Sequence, residues 1–275
     1  HAGSLRGFNA ARDPRECAFG EPQVDIDLRA CQFVRPPAAL WCLVYALLAR
    51  KRGSECRLLV PANIGVCIYL KSMGLFRLLR EHGVEVDDRG IPDRDDAQLI
   101  LPLTRFETTF QVDDLTNRAY EALSASSLGA ANLYPVISET FAELAQNAVQ
   151  HAESPVAAYG VIQFYEFGMG RRFTCAVADG GIGIRRSLER NPELTDRVPY
   201  DWVAIELAVR ERVSGTSDTR RGVGLFGVAE DLRRLGRRLI VHSGQGALRI
   251  SEDMQSEARR TNLLPGTEAY ASIPT

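Results

Sequence analysis

The chain has 275 residues, of which 45% are hydrophobic and 25% charged, and its formal net charge is -2 at pH 7. This balance, without a long basic run, argues against a nucleic-acid-binding surface. The longest apolar run, residues 38–49, is shorter than the roughly 20 residues that a membrane-spanning helix needs. We therefore expect a cytoplasmic protein that does not insert into a membrane.

Lysine is scarce, and this limits the kinds of phosphate site that the chain can build. All but two of the 33 basic residues are arginines, the exceptions being Lys51 and Lys71. A P-loop needs a lysine directly after its phosphate-binding glycines, and neither lysine has that position. A phosphate site is therefore predicted to use backbone amides, arginines and a metal ion. The six cysteines form no CxxC pair and lack histidines at zinc spacing, so we expect reduced thiols.

The first half of the chain alternates strand and helix signals. Residues 1–20 have no periodicity and are predicted to be either an extension or in part vector-derived, the candidate remnant being His1-Ala-Gly-Ser4. Alternating or continuous apolar runs then predict strands at 24–28, 56–60 and 84–86, with helices from Pro36 to just before Gly53 and from Ile64 to about Arg80. This order predicts a small α/β domain over residues 21–98.

A charged, turn-rich segment at residues 87–96 predicts a domain boundary. Residues 99–130 are predicted to be a linker that contains a helix at 112–123. This helix either packs on the second domain or mediates self-association. The second domain is predicted to occupy residues 131–275.

The first motif of the second domain lies on an amphipathic helix predicted from Pro135 to His151. Its apolar residues recur at helical spacing, which leaves Glu143, Asn147 and His151 on the other face. Residues four apart on a helix are neighbours, so the carboxylate and the carboxamide can address one ligand. Alone, this pattern would describe an ordinary solvated helix face.

The second motif follows a buried strand predicted at residues 172–178 and reads Asp179-Gly-Gly-Ile-Gly183. A carboxylate at a strand end can accept a hydrogen bond from the amino group of adenine, which guanine does not present at that position. Gly181 and Gly183 would allow the backbone to approach the base or the ribose without a side-chain collision. The motif also describes an ordinary turn, so its context decides its meaning.

The third motif, Arg221-Gly-Val-Gly-Leu225, follows a Ser/Gly/Thr-rich run and opens a helix. The first turn of a helix offers unpaired amides and a favourable dipole to phosphate groups. Strands are predicted at 239–243 and 247–250, joined by a turn at 244–246, and a last strand at 265–274. Thr267 would support Asp179 through its hydroxyl or a water. Residues 202, 205, 209 and 213 are predicted to form a core-facing helical stripe.

These three motifs, in this order, resemble the GHKL superfamily, which includes DNA gyrase, a mismatch-repair clamp protein, histidine kinases and the anti-sigma-factor serine kinases. The resemblance implies a two-layer α/β sandwich of the Bergerat type that binds ATP and Mg²⁺. It implies that Asn147 binds Mg²⁺ and that Glu143 is the general base. Further nucleotide contacts would come from His151, Asp179, Gly181, Gly183, Ile184, Arg221, Gly222, Val223, Gly224, Leu225 and Thr267.

The N-terminal unit resembles the STAS fold of anti-sigma-factor antagonists, from Asp25 through residues 74–79. Antagonists of that kind present a phosphorylatable serine or threonine near the position of residues 33–38, where this chain has no hydroxyl. The resemblance thus implies a docking or sensing module without that switch. A packing domain with no activity of its own is the alternative.

Three functional hypotheses follow from these resemblances. The first is a bacterial signalling protein of the anti-sigma-factor kinase class that transfers phosphate to serine or threonine. Histidine kinases usually lack a glutamate at the position of Glu143, which disfavours that class. The alternatives are an ATPase that drives a dimer clamp and a module that only binds ATP or ADP. A protein partner or substrate is expected, and a homodimer is left open.

Overall fold

The computed structural model describes residues 21–94, 99–167, 170–211, 213, 224–250 and 256–275. These residues form a three-stranded parallel sheet from the first part of the chain and a five-stranded antiparallel sheet from the second. The predicted mixed α/β class is confirmed at this level. No helix in these ranges is long and apolar enough to cross a membrane.

The parallel sheet follows the predicted alternation of strands and helices. Its elements are β1 (Gln23–Asp27), α1 (Pro36–Lys51), β2 (Glu55–Leu59), α2 (Ile64–Ser72), α3 (Leu75–Glu81) and β3 (Glu85–Val86), and the strand order is β1-β2-β3. The prediction of one helix from Ile64 to about Arg80 is wrong. Gly74 has a φ of +85°, a left-handed conformation that glycine adopts readily, and this residue separates α2 from α3.

The antiparallel sheet has the strand order β4-β5-β6-β8-β7. Its strands are β4 (Leu99–Phe106), β5 (Ala158–Phe167), β6 (Gly170–Asp179), β7 (Arg238–Ile250) and β8 (Ser256–Pro274). The helices of this half are α4 (Thr109–Ala125), α5 (Tyr134–His151), α6 (Gly183–Leu188), α7 (Asp201–Arg210) and α8 (Gly224–Arg234), with short 3-10 helices at Ala131–Leu133 and Pro192–Arg197.

Parts of the second half differ from their predicted form. The last strand, predicted at residues 265–274, already begins at Ser256, and residue 213 of the predicted helical stripe lies beyond α7, which ends at Arg210. Residues 99–130, predicted to link two domains, contain β4, which pairs with β5 and so extends the antiparallel sheet. The predicted turn at residues 244–246 lies inside one continuous strand, β7. Irregular pairing with β8 on both sides of Gly244 accommodates the two glycines without ending the strand.

Helix α1 is enclosed between the two sheets. Every residue from Ala39 to Ala49 is buried, and the helix contacts β1 and β2 on one side and β5, β6 and β8 on the other. A helix that is apolar on all sides is expected where no side meets water, which explains the run at 38–49 without a membrane. The opposite face of the antiparallel sheet packs against α5, α7 and α8.

Because α1 contributes to the packing of both sheets, removing one of its central side chains should destabilise the whole described structure. We expect Leu43→Ala, at a position with no exposed surface, to lower the free energy of unfolding by about 2–5 kcal/mol. Guanidinium unfolding followed by the fluorescence of Trp41 on α1 and Trp202 on α7 measures this. Leu235→Ala, at a 42% exposed position, is the control and should change it by less than about 0.5 kcal/mol. Two separate transitions, with only one shifted by Leu43→Ala, would contradict a shared core.

Candidate functional site

A pocket lies between α5 and the antiparallel sheet, on the side of the sheet opposite α1. Its cavity volume is about 110 Å³, several times the roughly 10–15 Å³ that a single water needs. Its walls are mostly apolar and come from α5, the end of β6, α6, the end of α7 with residue 213 beyond it, the start of α8 and the strands β7 and β8. The apolar members are Leu144, Ala148, Ala152, Val177, Ile184, Leu188, Ala208, Val213, Leu225, Val241 and Ala269.

All three predicted motifs contribute to this one pocket. Its lining includes eight of the predicted nucleotide-site residues: Asn147, His151, Asp179, Gly183, Ile184, Gly224, Leu225 and Thr267. Glu143 and Gly181 do not line the pocket. Glu143 precedes the lining residue Leu144, and Gly181 lies between the lining residues Asp179 and Gly183 in the chain. Arg221, Gly222 and Val223 lie outside the described residues. The fold thus brings together segments that are about 120 residues apart in the chain.

Asp179 is the buried carboxyl group of the pocket, with only 4% of its surface exposed. It is the last residue of β6 and pairs with Thr267 of β8. Its carboxylate accepts hydrogen bonds from the backbone N–H of Gly181, at 2.8 Å, and from that of Thr267. Burial raises the pKa of Asp179 to about 7, because the two amide hydrogen bonds only partly offset the loss of water.

The polar face of α5 forms as predicted, and its carboxamide lies beside the start of α8. Asn147 Nδ2 donates to the Glu143 carbonyl oxygen at 2.8 Å, which leaves Oδ1 as the available acceptor of this side chain. A Cβ atom added at Gly224 would lie 2.7 Å from that Oδ1. The pKa of Glu143 is raised by burial and further by the negative charges of Asp231 and Glu139.

The glycines after Asp179 have a packing role that the sequence did not indicate. A Cβ atom at Gly181 would lie 1.9 Å from the Ala152 carbonyl oxygen at the end of α5, and the same oxygen accepts the Ile182 N–H at 2.8 Å. A Cβ atom at Gly180 would lie 2.8 Å from Leu48 of α1. This loop is therefore held between α5 and α1, and Gly181 serves this contact rather than the pocket lining.

Ser243 is a buried site residue that sequence analysis missed. Its hydroxyl accepts the Ile184 N–H at 2.9 Å, donates to the Gly266 carbonyl oxygen at 3.1 Å, and lies 3.1 Å from the Thr267 hydroxyl oxygen. One side chain of β7 thus joins the start of α6 to β8. A serine at the end of an apolar strand carries no functional pattern, and only the fold shows its partners.

The residues present allow only a limited protein contribution to a metal site. Among the described residues, no three His, Cys, Asp or Glu side chains are grouped so that they could hold a metal ion. A carboxamide oxygen such as Asn147 Oδ1 is a suitable ligand for Mg²⁺, an ion that usually keeps waters and is shared with substrate phosphates. Asn147 Oδ1 therefore fits a metal ion that enters together with a phosphate ligand.

Comparisons with known proteins do not assign this site. A scan against protein-family models found no match, and a search of curated proteins found none either. The functional conclusion therefore depends on the motifs and on the geometry of the pocket.

The raised pKa of Asp179 predicts a specific pH dependence of stability. The folded protein keeps this proton up to about pH 7, whereas the ordinary pKa of an aspartate in an unfolded chain is 3.8. Below about pH 4 Asp179 is protonated in both the folded and the unfolded protein, so its burial carries no charge penalty there. The free energy of unfolding then falls as the pH rises from about 4 to 7. We expect Asp179→Asn to be stabilised relative to wild type by about 2–4 kcal/mol more at pH 8 than at pH 4.

Thermal or denaturant unfolding of both proteins at the two pH values measures this difference. Glu268, whose pKa burial raises to about 8, is present in both proteins, so its contribution cancels. Glu166→Gln, at an exposed position, is the control. A difference between Asp179→Asn and wild type that does not vary with pH would contradict the prediction.

Proposed function

We propose that this pocket binds Mg²⁺-ATP and that the second half of the chain is a GHKL-type domain with the Bergerat arrangement. The observation that carries the proposal is the position of Asp179. This buried carboxylate lies in an apolar pocket whose lining also includes Asn147 and the first residues of α8. Chance rarely places three separated motifs of one family around a single cavity.

The end of the pocket near Asp179 suits adenine. Apolar side chains such as Leu144, Val177 and Ile184 line the cavity and would cover the faces of a flat ring. A buried carboxylate without a cationic partner is costly, so a ligand N–H that bonds to it would favour its ionised form. The 6-amino group of adenine supplies such a donor.

The other end of the pocket suits phosphate groups. Helix α8 spans Gly224–Arg234, and the helix dipole at its start would favour an anion. Asn147 Oδ1 lies beside that helix start and would bind Mg²⁺. The metal ion, when bound, would neutralise phosphate charge as it does in other phosphoryl-transfer sites.

Glu143 is the residue that would distinguish catalysis from binding. It lies one helical turn before Asn147 and is half-buried, and its raised pKa makes the ionised carboxylate a stronger proton acceptor. In the proposed reaction its carboxylate takes the proton from the attacking hydroxyl or water. A protein that only bound nucleotide would not need a base here.

The biological role that we propose is bacterial signalling, with phosphate transfer to a serine or threonine of a partner protein. The N-terminal unit would act as a STAS-like docking or sensing module. Its helix α1 packs through Leu48 against Gly180, directly after the pocket residue Asp179, so the two halves are in contact next to the proposed nucleotide site. ATP hydrolysis without a protein substrate is the alternative reaction for the same residues.

Substitutions on α5 test separately whether Asn147 binds the metal ion and whether Glu143 acts as the general base. We expect Asn147→Ala to weaken Mg²⁺-dependent ATP binding at least about tenfold, because the protein loses its metal ligand. Glu143→Ala should bind ATP within about twofold of wild type, yet its turnover should fall by about 10²–10⁴-fold, the range for loss of a general base. Calorimetry and phosphate release, with and without a lysate as the source of protein substrate, measure the two properties.

Gln150→Ala, at an exposed position of the same helix, is the matched control and should resemble wild type. Absence of ATP and ADP binding by the wild-type protein would refute the proposed function. Undiminished turnover in Glu143→Ala would exclude this residue as the base while leaving nucleotide binding intact.

A further inference from the structure

The hydrogen-bond network around Ser243 determines the direction of the Thr267 hydroxyl. A serine hydroxyl has one hydrogen to donate and two lone pairs to accept. The Gly266 carbonyl oxygen can only accept, so the Ser243 hydrogen is used in that bond, at 3.1 Å. The Ile184 N–H can only donate, so it occupies one lone pair of Ser243, at 2.9 Å.

The remaining contact is the one between Ser243 Oγ and Thr267 Oγ1, also at 3.1 Å. Because the Ser243 hydrogen is already committed, Thr267 must be the donor in this bond. The Thr267 hydroxyl therefore has no hydrogen left for the pocket and offers only lone pairs. Within the described part of the chain, no protein group donates a hydrogen bond to this oxygen.

Two acceptors consequently lie side by side in the pocket lining. Thr267 and Asp179 are directly paired across β8 and β6, and both line the cavity. The carboxylate uses two of its roughly four acceptor positions for the amides of Gly181 and Thr267. A ligand group with two N–H hydrogens satisfies both acceptors, whereas an oxo group at the same place would face oxygen lone pairs only.

We infer that Ser243 is the positioning residue that makes the pocket select an amino group over an oxo group on a purine ring. It does so by holding the Thr267 hydroxyl as an acceptor next to the Asp179 carboxylate. Ser243 is 2% exposed and does not line the cavity, so it acts through Thr267 and not by touching the ligand. The inference rests on the proposed function, since it concerns the base specificity of the same nucleotide site.

The test compares the affinities for ADP and for inosine diphosphate, which carries an oxo group in place of the amino group. Calorimetry at pH 8, above the pKa of Asp179 of about 7, keeps the carboxylate ionised. Ser243→Ala frees the Thr267 hydroxyl to turn and donate to the oxo group. We expect the preference for ADP over inosine diphosphate to fall by about three- to tenfold, the effect of one hydrogen bond.

Two variants at Thr267 and one double variant complete the test if Ser243→Ala folds poorly. Thr267→Val removes the hydroxyl and should reduce the ADP preference to a similar extent. Thr267→Ser retains the hydroxyl and should keep the wild-type preference. The double variant Ser243→Ala/Thr267→Val should lose no more preference than Thr267→Val alone, because both changes act on the same hydroxyl.

The outcomes separate this inference from the proposed function. If wild type binds neither nucleotide, the proposed function fails. If wild type binds ADP but Ser243→Ala weakens both nucleotides equally, Ser243 only stabilises the fold and the inference is overturned. An unchanged ADP preference in Thr267→Val also overturns it, whether or not the Ser243 variant folds.

Discussion

The enclosure of α1 between two sheets is the packing relation on which the rest of the structure depends. This helix contacts β1 and β2 on one side and β5, β6 and β8 on the other. Its side chains belong to one continuous buried cluster with residues of both sheets, including Tyr159, Val161 and Ala176. Burial of that apolar surface is therefore a driving force that the two halves share.

The same helix connects packing to chemistry at the loop after Asp179. Leu48 of α1 packs where a side chain at Gly180 would be, and the end of α5 packs equally closely on Gly181. A Cβ atom at Gly266 would lie 2.1 Å from the Asp179 carbonyl oxygen, so β8 closes the third side. The Asp179 carboxyl group stays buried, with a raised pKa, because close packing on three sides prevents the backbone around it from moving toward solvent.

Much of this fold was readable from the sequence because its signals are local. Helix α1, helix α5 and the three parallel strands follow directly from apolar spacing, and the eight predicted residues that line the pocket follow from three motifs and their resemblance to the GHKL superfamily. The sequence did not predict the break at Gly74, because a single glycine is compatible with a continuing helix. It also did not show that β4 joins the second sheet or that Ser243 bonds to Thr267. Both depend on pairing between distant strands, which leaves no pattern along the chain.

Helix α1 also sets a condition on how the two halves of this chain can be separated. A fragment that began at β4 would leave bare the side of β5, β6 and β8 that α1 now covers, including Val161, Ala176 and Ala178. Exposed apolar strand surface of this kind promotes self-association in water. The N-terminal unit therefore shields this apolar face of the second half from water.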